Sequence, residues 1–121
     1  MKTTTKKNKT RLIVKNGHEN IVLPVAEVVL FYIEGRSVMV IGHDSKKYHF
    51  HKTLTEIEEE LDNTIFFRAN RRTLVNINFI KGFTACECNK LKVKMNIHIQ
   101  ETEIVISQET APLFKTWICE S

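Results

Sequence analysis

Three arginines fall within five positions in Arg68-Ala69-Asn70-Arg71-Arg72, preceded by Phe66-Phe67 and followed by Thr73-Leu74-Val75-Asn76. A guanidinium presents a planar fork of donors that can grip a phosphate or read guanine O6 and N7 through two parallel hydrogen bonds. The aromatic and aliphatic neighbours suggest a packed support, which would limit the entropy lost on binding. Nucleic acid is therefore the first ligand to consider. The plainer reading is a surface patch of ion pairs, and Arg68, beside the aromatic pair, is the candidate for pairing with the acidic segment that precedes it. Asn70 and Thr73 look like a turn or a short helix start, from which Arg71 and Arg72 fan outward. Helix-start N–H groups there would also favour an approaching phosphate.

Other chemistry is thinly represented. The chain has four glycines and lacks a Gly-rich phosphate loop, a Gly-x-Ser-x-Gly elbow and a His-Glu-x-x-His helix, so no catalytic residues and no cofactor are expected. His49-x-His51 and Cys86-x-Cys88 each place two metal-ligating side chains on one face of a strand. A closed zinc site needs four protein ligands and wider Cys-x-x-Cys loops, so the histidines read as the wet face of a hairpin, the cysteines as a turn, and no metal is assigned.

The 121 residues suffice for one domain with a real core. Hydrophobic residues make up 42% and charged residues 26%, as in ordinary globular proteins. The longest apolar run, Val28 to Ile33, has six residues, far short of the roughly 20 that cross a bilayer, and no apolar segment follows the N-terminal lysines as a secretory signal would require. An odd count of three cysteines points to a reducing compartment, and a cytoplasmic protein that makes no membrane contact is expected. The formal charge of +4 is modest, but its distribution is uneven. Residues 1–16 carry six cations and no acid, residues 68–82 carry Arg68, Arg71, Arg72 and Lys81 and no acid, and Glu56, Glu58, Glu59, Glu60 and Asp62 crowd between. Such segregation presents one face to a polyanion and another to water.

The elements that must position these groups are mostly strands. Residues 1–10 read as a flexible basic arm or linker, and 11–121 as the folded domain. Short β-rich runs follow: Leu12–Val14, Ile21–Leu23, Val28–Ile33, Val38–Ile41 and Leu74–Ile80, separated by Asn16-Gly17, Glu34-Gly35-Arg36-Ser37 and His43-Asp44-Ser45. Leu91, Val93 and Met95 alternate with Lys92 and Lys94, predicting a strand with one wet face. Thr53 with Glu56 forms a capping-box signature, and Leu54, Ile57 and Leu61 share one helical face, which turns the acidic run to solvent. Ser107 or Thr110 caps a second helix with Pro112 in its first turn and Leu113, Phe114, Trp117 and Ile118 as its apolar stripe. The fold class is mainly β with short helices.

In order, these motifs resemble the LytTR family of bacterial DNA-binding domains. Phe66 to Asn76 is similar to the family pattern Phe-x-Arg-Ile-His-Arg-Ser-Tyr-Leu-Val-Asn. Leu23-Pro24-Val25, Val28 to Glu34, Gly35-Arg36-Ser37-Val38, the Thr53 to Leu61 helix and Ile104-Val105-Ile106-Ser107 stand at matching places, so the resemblance covers about residues 11–119. It implies an elongated arrangement of small, mostly antiparallel sheets with two or three short helices. It also implies sequence-specific double-stranded DNA binding in transcription regulation, with loops entering successive major grooves. The implied contacts are Arg36 or Ser37, Asn70, Arg71 and Arg72, with Arg68 as a supporting member and Arg71 as the first base reader. A third contact would follow Ser107. Here Gln108 and Glu109 stand where the family often has arginine, and Lys115 is the alternative cation. Asn70 and Arg72 replace the usual His and Ser, and Ala69 replaces a larger residue, so base preference at this loop should differ. Asn76 reads as structural. Partners implied are a repeated DNA site, a homodimer on that DNA and, if the domain is the output domain of a two-component response regulator instead of a stand-alone regulator, a receiver domain or sensor-kinase pathway. The competing readings are an RNA or single-strand binder, which needs exposed aromatics as stacking platforms, and a non-catalytic protein-interaction or metal-sensing module.

Overall fold

A computed structural model describes residues 9–97 and 103–120. Most of the segment expected to form a flexible basic arm, residues 1–8, lies outside the described residues. Lys9 and Thr10 are tied to the domain: Lys9 N–H donates to the Glu60 carbonyl at 3.3 Å, and the Thr10 carbonyl accepts from Val25 N–H at 2.9 Å.

Among the described residues, ten strands and two α-helices follow in the order β1 (Arg11–Asn16), β2 (Glu19–Pro24), β3 (Val28–Glu34), β4 (Ser37–Gly42), β5 (Lys47–Phe50), α1 (Leu54–Glu60), β6 (Phe66–Asn70), β7 (Thr73–Asn76), β8 (Ile80–Cys86), β9 (Lys90–Met95), β10 (Ile104–Ile106) and α2 (Ala111–Glu120). A seven-stranded sheet has the order β2-β1-β5-β4-β3-β7-β6, and a three-stranded sheet the order β10-β9-β8. Every pairing among these strands is antiparallel. The expected arrangement of mostly antiparallel sheets with short helices is observed, and β1 joins the larger sheet at β5 through Lys15 and His49.

The apolar run of β3 has no polar alternation because both of its faces are covered. Phe31 points into one core with Val14, Val40, Phe50, Phe66, the α1 residues Leu54 and Ile57, and Leu61 just past the helix end. Leu30 and Tyr32 point into a second core with Met39, Val75, Leu91, Val93, Ile106 and Phe114, between the larger sheet, the smaller sheet and α2. The molecule is thus layered, with α1 on one face of the larger sheet and β8–β10 with α2 on the other.

Helix α1 has only seven residues, too few to stand alone. Its capping box is complete: Thr53 Oγ1 accepts from Glu56 N–H at 3.2 Å, and Glu56 Oε1 accepts from Thr53 N–H at 2.9 Å. Burying Leu54 and Ile57 adds roughly 1.5–3 kcal/mol each relative to exposure. Helix α2 follows a turn in which the Ser107 carbonyl accepts from Thr110 N–H at 3.1 Å and Ala111 N–H at 2.9 Å. Phe114 is its buried anchor, with Trp117 and Ile118 partly buried, but Leu113 is 64% exposed and off the expected stripe.

Two further expectations need correction. Leu74–Ile80 is not one strand: β7 ends at Asn76, a 3-10 turn spans Ile77–Phe79, and Ile80 opens β8 in the second sheet. Asn76, fully buried, makes the break, its Nδ2 donating to the Val28 carbonyl at 2.8 Å and its Oδ1 accepting from Asn78 N–H at 2.9 Å. Nor do Cys86 and Cys88 share a strand face, because Cys86 ends β8 whereas Cys88 sits in the following turn at φ 62°.

Candidate nucleic-acid interface

Strand β3 pairs with β4 on one side and β7 on the other, both antiparallel. Its C-terminal end therefore lies beside two hairpin turns at once. The first is Gly35-Arg36, closed by the Glu34–Ser37 pair, with Gly35 at φ 62°, a conformation that glycine adopts without Cβ strain. The second is Arg71-Arg72, closed by the Asn70–Thr73 pair. It is a hairpin turn and not a helix start. Its Arg72 N–H already donates to Asn70 Oδ1 at 2.8 Å, so the expected helix-start donors for phosphate are not formed. A register shift between Arg68 and Asn70 leaves Ala69 as the extra residue of a bulge, and its exposure of only 1% explains why a small side chain stands there.

The turns are bound to each other. Ile33 N–H donates to the Arg72 carbonyl at 3.0 Å, and Arg72 Nη2 donates to the Ile33 carbonyl at 2.8 Å. Arg68 braces the same turn from below: Nε donates to the Asn70 carbonyl at 2.9 Å, Nη2 to the Arg71 carbonyl at 2.9 Å, and Nη1 to Glu58 Oε1 of α1 at 3.0 Å. Asn70 Nδ2 reaches the Val105 carbonyl of β10 at 2.8 Å, fixing the turn to the second sheet.

The sequence candidates therefore fall into distinct positions. Arg36, Ser37, Arg71 and Arg72 are exposed on neighbouring turns. Neither the Arg36 nor the Arg71 guanidinium has a polar partner among the described residues, which leaves both forks open to a ligand. Asn70 and Arg68 are half-buried and bonded within the scaffold. Lys115 is exposed on α2 and does not line the depressions between the turns.

Among the described residues, two shallow depressions flank Arg72. One is lined by Tyr32, Ile33, Glu34, Gly35, Lys47 and Glu103 beside it, the other by Asn70, Arg71, Thr73 and Glu103. Sequence reasoning misses Glu34, Lys47 and Glu103. The place of Glu34 before the Gly35 turn is a signal that could have found it, whereas Glu103 arrives through the pairing of β10. Tyr32 Oη donates to Glu34 Oε1 at 2.9 Å, and this bond, with the Lys47 charge, holds the Glu34 carboxyl below its ordinary value. Burial raises the Tyr32 phenol above its own. Glu103 Oε2 lies 2.7 Å from Lys92 Nζ of β9, and that bond raises the Lys92 ammonium. Carboxylates thus punctuate a basic surface, which disfavours a nonselective polyanion grip and suits a partner with patterned donors and acceptors.

His49 is exposed on β5, and the His51 ring packs 5.1 Å from Phe50. Among the described residues no group of three or more His, Cys, Asp or Glu side chains could hold a metal ion. No helix of the described residues is long and apolar enough to cross a membrane.

Residues 18–119 match the family described as LytTr DNA-binding domain. Over 75 residues, 62% of the chain, the sequence is 30% identical to the transcriptional regulatory protein NatR of Bacillus subtilis (strain 168), and the match takes up 32% of that protein. The chain thus spans about a third of that relative. The fold is similar to that of a solved LytTr DNA-binding domain from Bacillus cereus, with a TM-score of 0.81 at 21% identity over 92% of this chain and 98% of the other.

Proposed function

The chain belongs to the LytTr DNA-binding domain family, a family of non-catalytic regulators, and from that premise we propose that it recognises a specific site in duplex DNA through the paired turns at Arg36 and Arg71. The observation that carries this reading is the reciprocal bonding of Ile33 and Arg72, which holds two open guanidinium forks on one rigid edge. Arg71 reads a base edge, guanine being the natural partner of a guanidinium fork. Arg36 or Ser37 makes the second contact. Arg72, with one nitrogen committed to the scaffold, offers its remaining donors to phosphate, and Asn70 and Arg68 set the position of the turn.

The proposal extends to transcription regulation, as the name of the Bacillus subtilis relative suggests, and to a cytoplasmic location, in keeping with the odd count of three cysteines. It includes two domains side by side on a repeated site and control by a receiver domain or sensor-kinase pathway. Burial of Phe31, Phe50, Phe66 and Phe114 removes their faces from base stacking, which favours duplex over single-stranded ligands.

Selection of bound duplexes from a random pool, followed by competition with single strands of the selected sequence, tests the reading. A recurrent motif retained against single-strand competitor is expected. Enrichment of no motif, or preference for the single strand, would overturn it.

A further inference from the structure

Strand β9 carries Lys90, Lys92 and Lys94 on its exposed side, while Leu91 and Val93 between them are buried, with 3% and 6% of their surface exposed. Alternate residues on a strand stand about 6.7 Å apart, comparable with the separation of successive phosphates along one nucleic-acid strand. The cross-strand partners do nothing to neutralise the row: Cys86, Thr84 and Gly82 of β8 face the three lysines, and Val105 of β10 faces Lys92. Such a row is normally a solvated strand face. Its position distinguishes it here.

Strand β10 lies between the row and the Arg71 turn, and the Asn70 bond to the Val105 carbonyl locks the two together. Glu103, just before β10, lies beside Arg71 and Arg72 and at the same time pairs with Lys92, with the two side chains 64% and 49% exposed. Arg71, Glu103 and Lys92 therefore form one continuous line across the surface.

We propose that β9 is a backbone track for the same duplex, Lys90, Lys92 and Lys94 each neutralising a phosphate of the strand that leaves the Arg71 turn, with Glu103 as a brake that occupies Lys92 and repels the passing phosphates. This rests on the reading that the chain binds duplex DNA. Three cations in register give affinity without sequence information, and a carboxylate in their path lowers affinity for every sequence alike. Its effect is to make the domain depend more on its base contacts.

The test is a titration of a selected duplex and a random duplex with the full chain across a salt series. Replacing Lys90, Lys92 and Lys94 with Gln should flatten the log–log salt slope by roughly 0.9 for each phosphate no longer neutralised and leave the ratio of selected to random affinity unchanged. Glu103→Gln should raise affinity several-fold for both duplexes, a gain that misfolding cannot mimic, and Lys92→Gln should then cost more in that background than in the unmodified chain. An unchanged slope in the lysine variant, or a Glu103→Gln variant that binds no more tightly, would overturn the track. Failure of the unmodified chain to bind any duplex would remove the DNA reading itself. Normal binding with an unchanged slope would remove only the role of β9.

Discussion

Ile33 and Arg72 exchange hydrogen bonds in both directions, main chain to main chain at 3.0 Å and guanidinium to carbonyl at 2.8 Å. One arginine thereby closes the gap between two hairpin turns that are well separated in sequence. Arg72→Ala should keep the backbone bond and lose the other, lowering stability by about 1 kcal/mol. Because one of the two bonds that position the turns relative to each other would be gone, affinity for the selected duplex should also fall. Urea denaturation beside a binding titration checks both; a variant with full affinity would show that the clamp is unnecessary.

Arg71→Ala removes a side chain without a polar partner among the described residues, so the melting temperature should not change. Binding to the selected duplex should weaken by about 1–3 kcal/mol, as when a base-reading side chain is removed, with little effect on random DNA. Equal weakening on both duplexes would reassign Arg71 to the backbone.

Arg68 offers the opposite signature. Its three bonds join Glu58 of α1 to the Asn70 and Arg71 carbonyls, and its side chain is 25% exposed. Arg68→Ala should therefore lower stability by about 1–3 kcal/mol, because charged hydrogen bonds disappear from a half-buried site. Arg68→Lys keeps the charge without the planar fork and should recover only part of it, as thermal melting would reveal.

Stability should depend on pH through Glu60. Its carboxyl lies 2.6 Å from Lys52 Nζ and 3.2 Å from Lys9 Nζ. The Lys52 hydrogen bond, ahead of the other causes, holds Glu60 below the ordinary 4.5. A carboxyl with a depressed folded value stabilises the fold above its unfolded value, and the contribution disappears as pH falls through the folded value. The stability gap between the unmodified chain and Glu60→Gln should be constant near neutrality and close as pH falls below 4.5. Lys52, raised by the same bond, stabilises below its ordinary 10.5 and loses that contribution as pH rises beyond it. A gap that persists in acid would separate Glu60 from this linkage.

Much of this architecture is legible in the sequence where a local pattern has one physical solution. Thr53 with Glu56 meets the requirements of a capping box within four residues, and the alternation of β9 requires one dry face. The role of Arg68 beside an acidic helix follows from charge and proximity. Hidden features depend on distant pairing. The break at Asn76 is set by Val28, 48 positions away, so Leu74–Ile80 looks continuous when read locally. Leu113 satisfies helical periodicity, yet no neighbouring layer among the described residues extends far enough to cover it. Arg72 cannot be distinguished from Arg71 by composition, because what separates them is the Ile33 carbonyl on another strand. Glu103 enters the site only when β10 pairs with β9.

The position of β3 also bears on the timescale of recognition. Covered on both faces and flanked by β4 and β7, it should hold the amides slowest to exchange with solvent, opening only when the whole domain unfolds. Both recognition turns are anchored on its last residues. Their loosening is then tied to global unfolding instead of local fraying, so partner search relies on a surface that is already shaped before contact, and hydrogen exchange at Ile33 should change little when a duplex is added.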